Sequence, residues 1–261
     1  MTSEEHGAFY ESVGGNRYRS TPLTTGPWDL ASQHAGPPSA LVSGRMQAAV
    51  EQPFARVTVE ILRPVPVADL AVEVHVDRPG RAVTMVSGTL SDDQGPCLIA
   101  RAWGIRRAPV GLDPVAAPES PLASPDDCPE VTFPFEHDGW HTGMELRFVS
   151  GGGFDDLGPG VAWGRPRVPV VAGEALTPLE RVMAFADAGN GVSASADLSR
   201  HLFINTDLTV HLHRLPDGDW VGLDARSVYE PDGVGAAFTT IHDEHGPIGR
   251  GAQALFLADR T

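Results

Sequence analysis

The sequence of 261 residues has little of several features that would place it in a class at once. Its two cysteines, Cys97 and Cys128, have neither metal-ligand spacing nor the number needed for a disulfide framework. No window approaches the roughly 20 consecutive apolar residues that a membrane span requires. Residues 1–6 lack the basic start and apolar run of a secretory signal. We therefore expect a cytoplasmic protein that does not enter a membrane.

Positive charge is also scarce. The 19 Lys and Arg residues are outnumbered by 34 Asp and Glu residues, which gives a formal net charge of −15. This surplus of acid disfavours nucleic acid as a partner. An anionic ligand would need arginines at its own site, and the available candidates are Arg63, Arg78, Arg81 and Arg214.

Histidines raise a zinc hypothesis, because they occur in close pairs at His211 and His213 and at His242 and His245. No H-E-x-x-H or C-x-x-C pattern accompanies them. Histidines that alternate along one face of a strand are explained by exposure to solvent, without a metal ion. We therefore expect no metal and no other cofactor.

What the chain does have is apolar content, at 41%, which is ample for a packed core. The most informative stretch is residues 205–214, N-T-D-L-T-V-H-L-H-R. Its apolar residues alternate with polar ones, which is typical of a half-buried strand. Asp207 falls on the polar face, where a carboxylate held near other polar groups could act as a base toward water. The plainer interpretation is a solvated strand face.

The first half is predicted to contain one helix and four strands. Residues 40–50 carry an apolar stripe and follow two prolines, which suit the first turn of a helix. Four strand-like segments follow, at residues 57–61, 70–76, 83–90 and 98–105. A helix followed by an antiparallel meander forms an α+β unit.

The second half repeats this order after a proline-rich stretch. A helix is predicted from residue 177 to about 188, and strands are predicted around it at residues 144–149, 161–171, 203–214, 220–229, 234–243 and 249–257. We divide the chain into a first module at 1–107, a loose linker at 108–134 and a second module at 135–261.

A shift of 151 positions relates the two halves without a gap. Strand phase and the D-x-x-G-P turn then agree in both copies. Seven identical pairs coincide: Thr58/Thr209, Val59/Val210, Arg63/Arg214, Thr89/Thr240, Asp92/Asp243, Gly95/Gly246 and Pro96/Pro247. This repeat predicts two copies of one module, packed together because each alone would leave an apolar face open.

Several phrases resemble a known family. They are G-P-W-D at 26–29, H-A-G-P-P at 34–38, F-A-D-A-G-N-G at 185–191, the stretch at 205–214, W-V-G-L-D-A at 220–225 and G-A-Q-A-L at 251–255. With the two-module pattern, they resemble the acyl-CoA thioesterase family of the double-hotdog fold, of the bacterial thioesterase II type. The resemblance spans nearly the whole chain, and it implies hydrolysis of an acyl-CoA or acyl-carrier-protein thioester by a homo-oligomeric enzyme.

The resemblance also implies that an Asp, a Thr or Ser, and a Gln of the second hotdog hold the hydrolytic water. Asp207 matches the Asp position and Gln253 matches the Gln. Ser227 is assigned to the hydroxyl position, which a one-residue shift would give to Val228. The equivalent positions of the first module hold other residues, Arg56, Val76 and Ala102. We therefore expect the site to belong mainly to the second module.

Thioester hydrolysis also needs donors for the carbonyl oxygen as it gains charge. We predict that these are backbone N–H groups at the start of the first helix, around His34, Ala35 and Gly36, because a helix N-terminus offers unpaired donors. The alternative is that this phrase is an ordinary turn into a helix.

Three further residues are second-tier candidates. Glu180 could be a helix-borne base, although Thr177 and Glu180 form a T-x-x-E capping box that explains the glutamate by itself. Asp187 lies near a helix end, where its negative charge is poorly placed for the helix dipole and needs a compensating partner. Asn205 begins the strand that carries Asp207.

Two other functions remain open at this point. One is hydration or dehydration of an acyl thioester, which in hotdog enzymes relies on a His with an Asp or Asn placed by a characteristic loop that is absent here. The other is non-catalytic binding of acyl thioesters.

Overall fold

Two helix-plus-sheet modules share one continuous antiparallel sheet in the computed structural model of this chain, which describes residues 7–27, 29–152 and 156–260. The predicted turn at 26–29 includes Trp28 and the predicted loop at 151–156 includes residues 153–155, and these four residues lie outside the described ranges. The same holds for residues 1–6.

The first module contains six strands and one helix. Its elements are β1 (Tyr10–Gly14), β2 (Arg17–Ser20), α1 (Gly36–Ala48), β3 (Phe54–Ile61), β4 (Asp69–Arg78), β5 (Val83–Asp92) and β6 (Gly95–Ile105). The predicted helix and the four predicted strands are all present.

The second module repeats this order, with a short helix before its first strand and two additions after its long helix. Its elements are α2 (Trp140–Gly143), β7 (Met144–Gly151), β8 (Gly160–Pro166), α3 (Pro178–Ala186), α4 (Gly189–Val192), β9 (His201–Asn205), β10 (Asp207–Leu212), β11 (Val221–Tyr229), β12 (Val234–Asp243) and β13 (Gly246–Asp259). The additions are α4 and β9, which follow α3 and have no counterpart after α1.

The strand order confirms the predicted α+β double hotdog. The sheet runs β1-β2-β4-β5-β6-β3 in the first module and continues as β10-β13-β12-β11-β8-β7, with β9 paired to the far end of β13. The two modules join where Thr58 of β3 pairs with Thr209 of β10, and the two hydroxyl oxygens lie 3.2 Å apart. These residues are 151 positions apart, so the repeat found in the sequence is also the symmetry of the sheet.

Three of the repeated residue pairs form one structural device. Arg63 donates to Asp92 at 2.5 Å and to the Gly95 carbonyl at 2.9 Å, which fastens the β5–β6 turn to the end of β3. Arg214 makes the same contacts with Asp243 and Gly246 in the second module. Both of these arginines are therefore engaged in the fold, although they were candidates for an anionic ligand.

The two carboxylates of this device carry lowered pKa values. Hydrogen bonding from Arg63 lowers the pKa of Asp92. Burial by itself would raise the pKa of Asp243, but Arg214 and the backbone N–H groups of Asp217 and His245 outweigh it, so this pKa is also lowered.

The long helices α1 and α3 pack against each other antiparallel on the inner side of the sheet. Gly36, near the start of α1, approaches Ala184, near the end of α3, while Gly44 approaches Glu180 at the opposite end. A Cβ at Gly36 would lie 2.4 Å from the Ala184 carbonyl oxygen. Glycine thus sets the distance between the helices, and their antiparallel order brings the start of α1 beside the end of α3.

The predicted linker, residues 108–134, is fastened to the fold over its second half. Glu119 pairs with Arg250, the Ala123 carbonyl accepts the indole N–H of Trp163 at 2.8 Å, and Val131 donates to Leu146 at 2.8 Å. Its second half therefore runs across the second module as a strap. Sequence reasoning missed this because the prolines have no periodic pattern.

No helix in the described ranges combines the length and apolar character needed to cross a membrane.

We predict that Asp243→Ala lowers the free energy of unfolding by about 3 kcal/mol, because it leaves the partly buried Arg214 without its counter-ion. Equilibrium urea unfolding measures this loss. Asp92→Ala is the matched control at the equivalent turn, and its loss should be smaller because Asp92 is more exposed and accepts fewer backbone donors. Equal urea midpoints for wild type and Asp243→Ala would contradict this account of the turn.

Candidate active site

The loop before α1 carries His34 to the boundary between the modules, where it faces Asp187. We call this boundary region the crevice. The His34 backbone N–H donates to the Thr24 carbonyl at 2.8 Å, and Ala35 is the N-cap of α1. Prolines occupy the next two helical positions after Gly36, so the first turn has few backbone donors. The Gly36 N–H is one of them, and it points at His34 Nδ1 at 3.1 Å.

Trp140 holds this loop against the second module. Its indole stacks on the His34 ring with centroids 4.1 Å apart and planes within 5°. Its indole N–H donates to the Ala184 carbonyl of α3 at 3.0 Å, and its backbone N–H donates to Thr25 at 2.9 Å. Trp140 therefore connects the loop before α1 with the last turn of α3. Sequence reasoning missed it, since an isolated Trp after a proline-rich stretch carries no positional signal.

Asp187 is the C-cap of α3, where a negative charge faces unpaired carbonyl groups. Two side chains supply the compensation that this position requires. Asn205 donates an amide N–H to Asp187 Oδ1 at 2.7 Å, and His34 Nδ1 lies 3.2 Å from Asp187 Oδ2. The Asp187 side chain is only 4% exposed. A buried carboxylate in contact with both modules is thus the centre of the crevice.

Gln253 holds the backbone turn that bears Asp187. Its amide N–H donates to the Asp187 carbonyl at 3.0 Å, and its amide oxygen accepts the Asn190 N–H at 3.1 Å. Both ends of the side-chain amide therefore replace hydrogen bonds that a helix would otherwise make. The break between α3 and α4 occurs at this clamp.

Glycine is required where this turn meets the sheet. A Cβ at Gly189 would lie 2.6 Å from the Thr239 hydroxyl oxygen and 3.1 Å from Gln253 Oε1. The phrase A-D-A-G-N-G is thus a tight contact between the end of α3 and strands β12 and β13.

The structure does not bring Asp207, Ser227 and Gln253 together. Asp207 follows the polar alternation of β10 opposite the buried Leu208, so it lies on the sheet face away from the helices, while Gln253 is buried on the inner face. The Asp207 carboxylate accepts the Ala254 N–H at 2.8 Å, at the rim of the sheet. Ser227 is on the inner face, where its hydroxyl lies 2.8 Å from that of Ser193 under α4.

Of the second-tier candidates, two belong to the crevice. Asp187 and Asn205 are in direct contact, as above. Glu180 lies at the start of α3, where its carboxylate accepts the Thr177 N–H at 2.8 Å and Thr177 accepts the Glu180 N–H at 3.2 Å. The reciprocal capping box expected from T-x-x-E is therefore present, and it accounts for Glu180.

The pseudo-symmetric place in the first module has different chemistry. Arg45 lies as far from the N-cap of α1 as Asp187 does from the N-cap of α3, and it pairs with Glu174. The position equivalent to Gln253 is the buried Ala102. The crevice around Asp187 is thus present on one side of the pseudo-twofold axis.

Burial governs the ionisation of the crevice histidine. It lowers the pKa of His34, and the nearby charge of Asp187 offsets this only in part. The imidazole is therefore neutral at neutral pH. Throughout the described ranges, no group of three or more His, Cys, Asp or Glu side chains is arranged to hold a metal ion.

This geometry provides three chemical functions within one crevice. Asp187 is a carboxylate that could accept a proton, the Asn205 amide beside it donates an N–H to it, and Gly36 has a backbone N–H across the module boundary. A base, a polar side chain beside it that can help to hold water, and a donor for a developing oxyanion are what acyl transfer to water requires.

Comparison with protein families gives two successive matches. Residues 24–105 match the model described as the acyl-CoA thioesterase N-terminal domain, and residues 125–257 match the model of the acyl-CoA thioesterase C-terminal domain. Together they cover well over half of the chain. A search of the curated proteins finds no match.

Solved structures show the same fold over nearly the full length. A proposed thioesterase II of Thermobifida fusca is 19% identical with a TM-score of 0.77, covering 99% of this chain and 98% of that one. The tesB protein of Mycobacterium avium subspecies paratuberculosis is 18% identical with a TM-score of 0.70, covering 95% of each chain. The acyl-CoA thioesterase II TesB2 of Mycobacterium marinum is 14% identical with a TM-score of 0.65, covering 97% and 95%.

We predict that Gly189→Ala destabilises the protein by about 1–3 kcal/mol, because the added methyl group overpacks the contact with Thr239. Thermal and urea unfolding measure the change. The cost should shrink in a Thr239→Ala background, where the clashing oxygen is gone. The same cost in both backgrounds would contradict a direct contact.

Proposed function

This chain belongs to the acyl-CoA thioesterase family, and from that premise we propose that it hydrolyses acyl-CoA thioesters with a water activated by Asp187. The observation that carries the proposal is the buried Asp187 carboxylate, which faces Asn205 on one side and the loop before α1 on the other. The sequence favoured Asp207 for this role. The geometry supports Asp187 instead.

The attacking water is held by two oxygen atoms. Both N–H groups of the Asn205 amide are engaged, one with Asp187 at 2.7 Å and one with the Asp207 carbonyl at 3.3 Å. Its oxygen is then the group that we propose to accept from the water. A water that donates to this oxygen and to Asp187 keeps a lone pair for the thioester carbon, and Asp187 accepts its proton during attack.

The thioester oxygen binds at the start of α1. The Gly36 N–H is the first donor of the helix, and the Ala35 N–H precedes it in the loop. The positive end of the helix dipole stabilises the oxyanion that forms there. The prediction that the His34–Gly36 segment supplies these donors stays in the proposal.

Gln253 acts on the reaction through the backbone. Its amide fixes the Asp187 carbonyl and the Asn190 N–H, so it is a positioning residue for the base. Ser227 contacts Ser193, and its proposed effect is on the packing of α4 rather than on the water.

The reaction follows the course of ordinary ester hydrolysis. The water oxygen bonds to the acyl carbon while one of its protons passes to Asp187. The tetrahedral intermediate then breaks its carbon–sulfur bond. The thiolate that leaves takes up the proton, and the products are a free acid and CoA.

Hydration of an unsaturated acyl thioester is the second candidate, and one observation favours it. His34 and Asp187 lie 3.2 Å apart across the module boundary, and a His–Asp pair is what the hotdog hydratases use. Loss of enoyl-thioester absorbance without thiol release would identify this reaction. Binding of acyl-CoA without either reaction would identify a non-catalytic binder.

An acyl-carrier-protein thioester as substrate, homo-oligomeric assembly and a cytoplasmic location stay predictions. Release of thiol from matched acyl-CoA and acyl-carrier-protein substrates of equal chain length separates the two carriers.

We predict that Asp187→Asn lowers kcat for thiol release by about 10²–10⁴-fold, because the amide cannot accept the water's proton. A thiol-reactive dye that follows CoA release from several acyl-CoAs gives the rate. Asp207→Asn is the matched control, since the carboxylate lies on the opposite face of the sheet. It should stay within about threefold of wild type, an effect too small to reflect loss of a general base.

The opposite pattern of activities would identify Asp207 as the general base. An inactive Asp207→Asn variant beside an active Asp187→Asn variant, with both folded by circular dichroism, contradicts the proposal.

A further inference from the structure

The Nδ1 atom of His34 has two polar neighbours that make opposite demands on it. The Gly36 N–H points at Nδ1 from 3.1 Å and needs a lone pair there. The Asp187 carboxylate lies 3.2 Å from the same atom and needs a proton there. In a neutral imidazole each ring nitrogen is either a donor or an acceptor, so Nδ1 satisfies one neighbour at a time.

The two tautomers therefore differ in which neighbour, Gly36 or Asp187, is hydrogen-bonded to Nδ1. With the proton on Nε2, the Nδ1 lone pair accepts from Gly36, and the Asp187 carboxylate receives no hydrogen bond from the ring. With the proton on Nδ1, the ring donates to Asp187, and the Gly36 N–H is released. The second state is the one that hydrolysis uses, since a carboxylate is held as the base while an oxyanion donor is available.

We propose that the His34 imidazole couples the base to the oxyanion site, so that a thioester oxygen bound to the Gly36 N–H selects the tautomer that orients Asp187. This inference rests on the proposed hydrolytic function. In the change, Nε2 gives one proton to water and Nδ1 takes one proton up from water, so the ring stays neutral. His34 is thus a positioning residue. Its tautomer depends on the group bound at Gly36 in the first module and orients Asp187 in the second module.

The surroundings suit a ring that changes tautomer without turning. Stacking on Trp140 fixes the ring plane, and the His34 side chain is only 12% exposed. Burial keeps its pKa below the ordinary value, so the neutral forms dominate at neutral pH. The charged or titratable groups that act on it are the Asp187 carboxylate, which is in contact, and His141 in the adjoining aromatic cluster.

Nitrogen-15 NMR of the imidazole tests the coupling without any need for activity, because protonated and unprotonated ring nitrogens differ widely in chemical shift. The full chain is labelled at histidine, and His34 is assigned by its loss in His34→Phe. The probe is an acyl-CoA ketone in which a methylene group replaces the thioester sulfur. We expect wild type with the ketone to carry the proton on Nδ1, and Asp187→Ala with the same ketone to carry it on Nε2.

The same tautomer in both complexes, or Nε2–H in the wild-type complex, would overturn the coupling. That failure is distinct from failure of the proposed function. If Asp187→Asn still loses its activity, the hydrolytic role of Asp187 stands and only the role of His34 falls.

Kinetics give a second readout. His34→Phe keeps a ring on Trp140 but has no nitrogen, and it should lower kcat by about 10²–10³-fold with KM little changed. His34→Asn places an amide N–H near the position of Nδ1, and it should recover about tenfold of that loss. Its pH profile should also lack the acid-side contribution of His34 protonation.

The control is His75→Phe, because His75 Nδ1 also lies close to an aspartate, Asp77 at 3.0 Å, but on the exposed surface of β4. It should match wild type. Equal rates for His34→Phe and His34→Asn, with an unchanged pH profile in His34→Asn, would show that the ring only fills space and would overturn the proposal.

Discussion

The antiparallel contact between α1 and α3 is the constraint on which the rest of the structure depends. Gly36 lets the two helix backbones approach more closely than any other residue would allow, and Gly44 leaves room for the Glu180 side chain. That approach places the start of α1, with its backbone donor, beside the end of α3, with its carboxylate. Neither module holds both groups, so the crevice exists only when the two are packed together.

The backbone fold repeats in the two modules, but the polar side chains at the equivalent positions differ. The sheet repeats with an offset of 151 positions, and the same arginine device closes the β5–β6 and β12–β13 turns. Yet one side of the axis has Asp187 and Gln253, and the other has Arg45 and Ala102. The additional elements α4 and β9 lie on the first of these sides, and they carry Asn190 to Gln253 and Asn205 to Asp187.

The sequence predicts the strands, the two long helices and their repeat, because alternation and helix caps are local patterns. It does not predict which carboxylate enters the crevice. Alternation marks Asp207 as polar, but the burial of Leu208 turns that face away from the helices. Asp187 stood out for the unfavourable position of its charge at a helix end, and its partner Asn205 is distant in the chain. Trp140 and the strap depend on tertiary contacts alone.

A crystal structure with a non-hydrolysable acyl-CoA ketone bound tests the central claim most directly. The account predicts that the ketone oxygen accepts the Gly36 N–H, and that its carbon faces a water held between Asp187 and Asn205. A ketone bound on the outer face of the sheet, with its carbon beside Asp207 and no contact to the start of α1, would contradict it.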